Sequence, residues 1–278
     1  MQSKDALGKE ADVSFRTELA EMVRVSDITL ILTIPIVLTA VHLLPATIQQ
    51  SFILDYGNPS ILNLWSSAYV HHGFAHFSNN LVVYCLIITP AYLLCMLANE
   101  QRLFRYTFIS FLFILPPVIS LINIAVIGQG TGRGFSGIGS AFVGLLPVAL
   151  FLFIHKRISN RVNPSNGILL FLVVAGIITT IYRGAAEGAG IIVLSSLLAV
   201  LHIHQMGLNE VRRELSLLTS KKGYFELVIF AVLLFLVSPM LLFPQEILQD
   251  DKVVNIISHY AGLSIGFFGP TVFAMYRK

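Results

Sequence analysis

Charge is what this sequence has least of. Only 12% of its 278 residues are Asp, Glu, Lys or Arg, against 55% hydrophobic, and its mean hydropathy is +0.79. That balance excludes an ordinary soluble domain and describes an all-α, polytopic membrane protein. Cysteine is nearly absent as well. Cys85 and Cys95 fall on one predicted helix, roughly 15 Å apart at helical rise, too far for a bridge within it. Carboxylates are missing from the middle of every predicted span, which removes the paired aspartates of an intramembrane aspartyl protease and argues against a proton-coupled transporter. No H-E-x-x-H occurs, so the zinc metalloprotease pattern is excluded and no metal or cofactor is expected. Residues 1–26 lack a signal-peptide pattern and are polar with mixed charge; a cytoplasmic N-terminal tail or surface helix is expected there, with the transmembrane domain over 27–278.

What the chain has in abundance is apolar runs. Eight segments approach the ~20 residues that a bilayer crossing needs: 28–48, 77–97, 103–127, 136–155, 166–183, 187–205, 225–243 and 254–276. Arg183-Gly184-Ala185-Ala186-Glu187 is too polar for a hydrocarbon centre and divides two of them. Pro116-Pro117 and Pro239 are expected to kink their helices. With a cytoplasmic N-terminus, fifteen of the 18 Lys and Arg fall inside, and only Arg133, Arg183 and Lys252 fall outside. A bias this steep predicts that both termini are cytoplasmic, and it explains the net charge of +3 without nucleic acid. The 49–76 loop has no Lys or Arg but holds Phe52, Tyr56, Trp65 and Tyr69, residues suited to the outer interface.

Three polar patches share that outer face in this topology. One is Gly134-Phe135-Ser136-Gly137, followed by Gly144; another is His71, His76 and Asn80; the third is His259 with Gly262 and Gly266. A serine hydroxyl is a weak nucleophile without a base, and a histidine within a span is a costly group that suggests function. His76 and Asn80 share a helix face and suit the stabilisation of a developing oxyanion. Each patch alone also reads blandly: the glycines as a packing face, His259 as a histidine bonded to a backbone carbonyl, His71 as a loop support.

As a set, in this order, the three patches resemble the rhomboid family of intramembrane serine proteases. The resemblance implies a rhomboid-like helical bundle, with two helices added to a six-span core. It also implies a Ser136–His259 dyad and an oxyanion hole of His76, Asn80 and the Ser136 backbone N–H, with His71, Gly134, Gly137, Gly262 and Gly266 in support. The implied activity is endopeptidase cleavage of transmembrane protein substrates in the lipid bilayer, near its outer face. Where the family often carries an aromatic residue to stack on the imidazole, this chain has Ser140, with Phe142 as the expected stand-in; where an arginine often follows the loop tryptophan, it has Ser66. The alternatives are a catalytically inactive rhomboid-like protein that binds transmembrane segments, and a transporter or channel.

Overall fold

A computed structural model describes residues 15–243, 248, 249, 252, 253 and 255–276. The chain is helical: α1 (Phe15–Met22), α2 (Val25–His42), α3 (Ala46–Ser51), α4 (Asn63–Ser66), α5 (Phe74–Leu97), α6 (Gln101–Phe113), α7 (Leu115–Ile127), α8 (Ser136–Arg157), α9 (Gly167–Tyr182), α10 (Ala185–Met206), α11 (Leu208–Ser220), α12 (Tyr224–Leu242) and α13 (Ile256–Tyr276). Two short antiparallel pairs complete it, β1 (Leu54–Asp55) with β2 (Thr131–Gly132), and β3 (Leu248–Gln249) with β4 (Lys252–Val253). Seven helices among the described residues are long and apolar enough to cross a membrane, and α6 with α7, apolar together but bent by 44° at their junction, form either one broken span or a re-entrant pair. Seven of the eight expected spans therefore have a counterpart, and the expected 103–127 span is the bent pair. The first ends earlier than expected, at His42, because Gln49 Nε2 donates to the carbonyls of His42 (3.0 Å) and Leu44 (2.8 Å) as the chain turns at Pro45.

The helices are arranged around α8. Its span is 89% buried, that of α10 only 11%; α8 packs on α5, α12 and α13, whereas α10 packs chiefly on α9. Lipid is as apolar as leucine, so close backbone approach rather than water exclusion holds such helices together. Glycines make the approach possible. A Cβ placed on Gly262 would lie 2.0 Å from the Gly137 carbonyl oxygen, one on Gly266 2.1 Å from that of Ala141, and one on Gly144 2.3 Å from that of Leu263. The α8–α13 seam thus admits no side chain at these three places.

Proline removes an N–H and strands the carbonyl four residues earlier, which in hydrocarbon must find another donor. Pro116 and Pro117 free the carbonyls of Leu112 and Phe113, where α6 breaks from α7. The 49–76 loop answers both: Tyr69 Oη donates to Leu112 O at 2.9 Å and Trp65 Nε1 to Phe113 O at 2.6 Å. Burial pushes the Tyr69 hydroxyl up to about 12, so it keeps its donor proton. In α2, Pro35 frees Ile31 O, which accepts from Tyr84 Oη at 2.7 Å. In α12, Pro239 frees Phe235 O, which accepts from Ser238 Oγ at 2.7 Å.

Away from Ser136, at the C-terminal end of α8, the polar groups are ionic. Arg157 donates to Glu18 of α1 at 2.6 Å, and Tyr224 Oη donates to the same carboxylate. The Phe15 ring meets Tyr224 edge-on at 5.4 Å. Part of the expected N-terminal tail is thus a helix docked on the bundle. Asp27, fully buried, accepts from Arg105 Nε at 2.6 Å and Tyr92 Oη at 3.2 Å.

Candidate active site

A cavity of about 660 Å³ opens where α5, α8 and α13 begin and α12 ends, and Ser136, His259, His76 and Asn80 all line it. Ser136 is the first residue of α8, half-buried. The turn that delivers it needs glycine: Gly134 has φ 125°, and its N–H donates to Ser67 O at 2.9 Å. Gly139 N–H, bonded to Phe135 O at 2.9 Å, closes the first turn of α8. The preceding N–H groups have no carbonyl within the helix to meet, so they form a partial positive charge beside the hydroxyl.

His259 lies one turn into α13, where Asn255 Oδ1 caps the helix by accepting from Ser258 N–H at 3.0 Å. Its Nδ1 is bonded to the carbonyl oxygen of Leu242, the last residue of α12. A carbonyl only accepts, so Nδ1 carries the hydrogen and Nε2 is left with the basic lone pair. Leu242 thereby fixes the tautomer, the service an acid performs in a triad. Gly137 brings the two helices together at this level: a Cβ there would lie 3.4 Å from Ser258 O. Ser136 Oγ and His259 are not hydrogen-bonded to each other among the described residues; they face one cavity from adjoining helix starts.

The His76 imidazole stands directly over Gly134. A Cβ on that glycine would be 2.7 Å from His76 Cε1 and 3.1 Å from Nε2, so the ring occupies the space that the missing side chain leaves, two residues before Ser136. His71 props it, edge-on at 5.1 Å, and also meets Phe77 at 5.8 Å. Burial above all, then the neighbouring histidines 76, 42 and 72, lowers the His71 pKa to about 3, so it stays neutral in ordinary conditions. Asn80 is buried and spends one amide hydrogen on the His76 carbonyl, at 2.8 Å, leaving its other free to serve the cavity.

One expectation is revised. Phe142 does not stack on the imidazole; it lies in the core against Phe108 and Phe111, each at 5.3 Å. Phe243 meets His259 instead, edge-on at 5.7 Å. Ser140 is small because α13 passes over it: a Cβ on Gly262 would be 3.2 Å from Ser140 Cβ. α12 packs beside α5 and ends in the cavity wall, whereas α9 and α10 pack chiefly on each other.

Several wall residues escaped the sequence reading. Asn79 and Asn123 both line the cavity. Asn123 Nδ2 donates to Ser258 Oγ at 2.8 Å, and its Oδ1 is buried without a partner. A lone amide in the apolar run Leu121–Ile127 was the available signal. Tyr56 fastens the rim, its ring on Gly132 and its hydroxyl accepting from Asn255 Nδ2 at 3.2 Å. Burial raises its pKa. No protein-family model, curated protein or solved structure matches this chain.

Proposed function

We propose that the chain is a rhomboid-type intramembrane serine endopeptidase, with both termini cytoplasmic and its cavity open to the outer face. The observation that carries this reading is the His259 ring, held by the Leu242 carbonyl in the one tautomer that leaves Nε2 basic, in the same cavity as Ser136. In this mechanism Nε2 takes the Ser136 proton as Oγ adds to a substrate carbonyl. The negative charge that develops on oxygen is met by His76, the remaining Asn80 N–H and the Ser136 backbone N–H. His259 then returns the proton to the leaving amine. Water, entering through the cavity mouth, hydrolyses the acyl-enzyme by the same steps. Substrates of this reading are membrane-spanning segments whose helix is weak near the outer face, because a stable helix withholds its carbonyls.

A fluorophosphonate probe tests this on the purified protein in detergent. Labelling of the wild type that vanishes in Ser136→Ala and falls sharply in His259→Ala supports the protease. Absence of wild-type labelling, with folding shown intact by its thermal melt, favours a binder of transmembrane segments. Solute flux in liposomes unaffected by Ser136→Ala favours a transporter or channel.

A further inference from the structure

The cavity that holds Ser136 has an uneven charge. Among the described residues lining it, Arg133 is the only Lys or Arg, and none is Asp or Glu. Arg133 lies on the short link between β2 and Ser136, partly buried. Its Nε donates to Nε2 of His72 at 3.3 Å, a contact that supplies no carboxylate. None of the ion pairs among the described residues includes it: Asp27, Glu18 and Glu210 are taken by Arg105, Arg157 and Arg213. Asp55 lies across the β1–β2 pair opposite Thr131, two residues from Arg133, and its Oδ1 accepts from Gly57 N–H at 2.9 Å. Burial lowers the Arg133 pKa, the mark of a cation short of both water and counter-charge.

Elsewhere in this molecule a cation withdrawn from water is given a carboxylate by the chain itself. No described residue supplies one to Arg133. Resting on the protease reading, we infer that the site selects substrates with an acidic side chain, Asp or Glu, next to the bond that Ser136 attacks, and that Arg133 is the residue that reads it. Arg133 precedes Ser136 by three residues, a reach of at most about 10 Å of extended chain. An extended substrate seated on Ser136 therefore brings to Arg133 a side chain within about three positions of the scissile bond. The fork of guanidinium N–H groups not used on His72 suits a carboxylate bonded by two hydrogens.

The test uses peptide aldehydes as competitors of fluorophosphonate labelling, with Asp, Asn or Lys at each of the three positions next to the aldehyde. The full-length wild type is expected to prefer Asp over Lys by about tenfold or more at one position, the size that a charge-assisted hydrogen bond supplies. Arg133→Gln is expected to bring that ratio close to one, and Arg133→Glu to reverse it. Equal competition by Asp and Lys peptides, no competition by any, or a preference that survives in both variants would overturn the inference while leaving the nucleophile's labelling to stand. An anionic lipid headgroup carries the same charge. If phosphatidylglycerol vesicles alter labelling in an Arg133-dependent way while the peptides compete equally, Arg133 reads lipid and the inference fails. Absence of any labelling of folded protein removes the protease reading first, and this inference with it.

Discussion

The two ends of the helical bundle handle buried polarity in opposite ways. Where α8 finishes, each charge is closed on a partner: Arg157 on Glu18, Arg105 on Asp27, with Tyr224 and Tyr92 completing the two carboxylates. Where α8 starts, His76, Asn80, Ser136 and His259 turn toward open space, held from behind by backbone groups. The first arrangement is complete without any other molecule. The second leaves donors, a lone pair and a hydroxyl facing a volume that something else must fill.

If that contrast is correct, substitutions at one end alter chemistry and leave stability, while those at the other do the reverse. The largest effect is expected from His259→Ala, which should slow fluorophosphonate labelling by about a thousandfold or more while the thermal melt moves little. At the far end, Asp27→Asn should destabilise the fold by about 3 kcal/mol, because it leaves the half-withdrawn Arg105 without its counter-charge. Denaturation in mixed micelles would measure the loss, and labelling per folded molecule should be unchanged. Next in size, Asn80→Ala should cost about a hundredfold in labelling rate, the usual loss for one oxyanion donor. A loss of stability equal to that of Asp27→Asn, with labelling retained, would instead class Asn80 with the closed end.

The acid response sharpens the contrast further. His71 is neutral when folded, its pKa held down near 3, whereas in the unfolded chain it takes a proton near 6.5. The unfolded state therefore binds more protons between those two values, and stability contributed by neutral His71 is complete above about pH 6.5 and drains away as pH falls toward 3. A loss of up to about 1.4 kcal/mol per pH unit is expected across that window, and His71→Gln should flatten it in melts taken from pH 7 to 4. The smallest expected effect is that of Tyr69→Phe, which orphans the Leu112 carbonyl and should cost about 1 kcal/mol.

Most of the apolar spans, and the four polar residues that come to line one cavity, could be picked out from the sequence because their signals are local. Twenty apolar residues, a proline pair, or a histidine and asparagine four apart mean the same thing in most contexts. What could not be read depends on backbone groups from distant segments. Nothing near His259 announces that Leu242 O will set its tautomer, and nothing near Trp65 announces Phe113 O, because every residue has a carbonyl. Phe142 shows the converse error: lying two residues past Ser140 it was a suggestive stand-in, but α8 turns it toward Phe108 instead. Asp27 looked like a boundary residue and is a buried ion-pair partner, since its mate lies on α6.

The tyrosine and tryptophan that answer the Pro116-Pro117 break also impose an order on assembly. Trp65 and Tyr69 leave the ribosome well before residues 112 and 113, and Ser67 waits longer still for Gly134. These three bonds tie down the 49–76 loop only once residues 112–134 have been made, so the cover over the cavity is completed as Ser136 itself arrives.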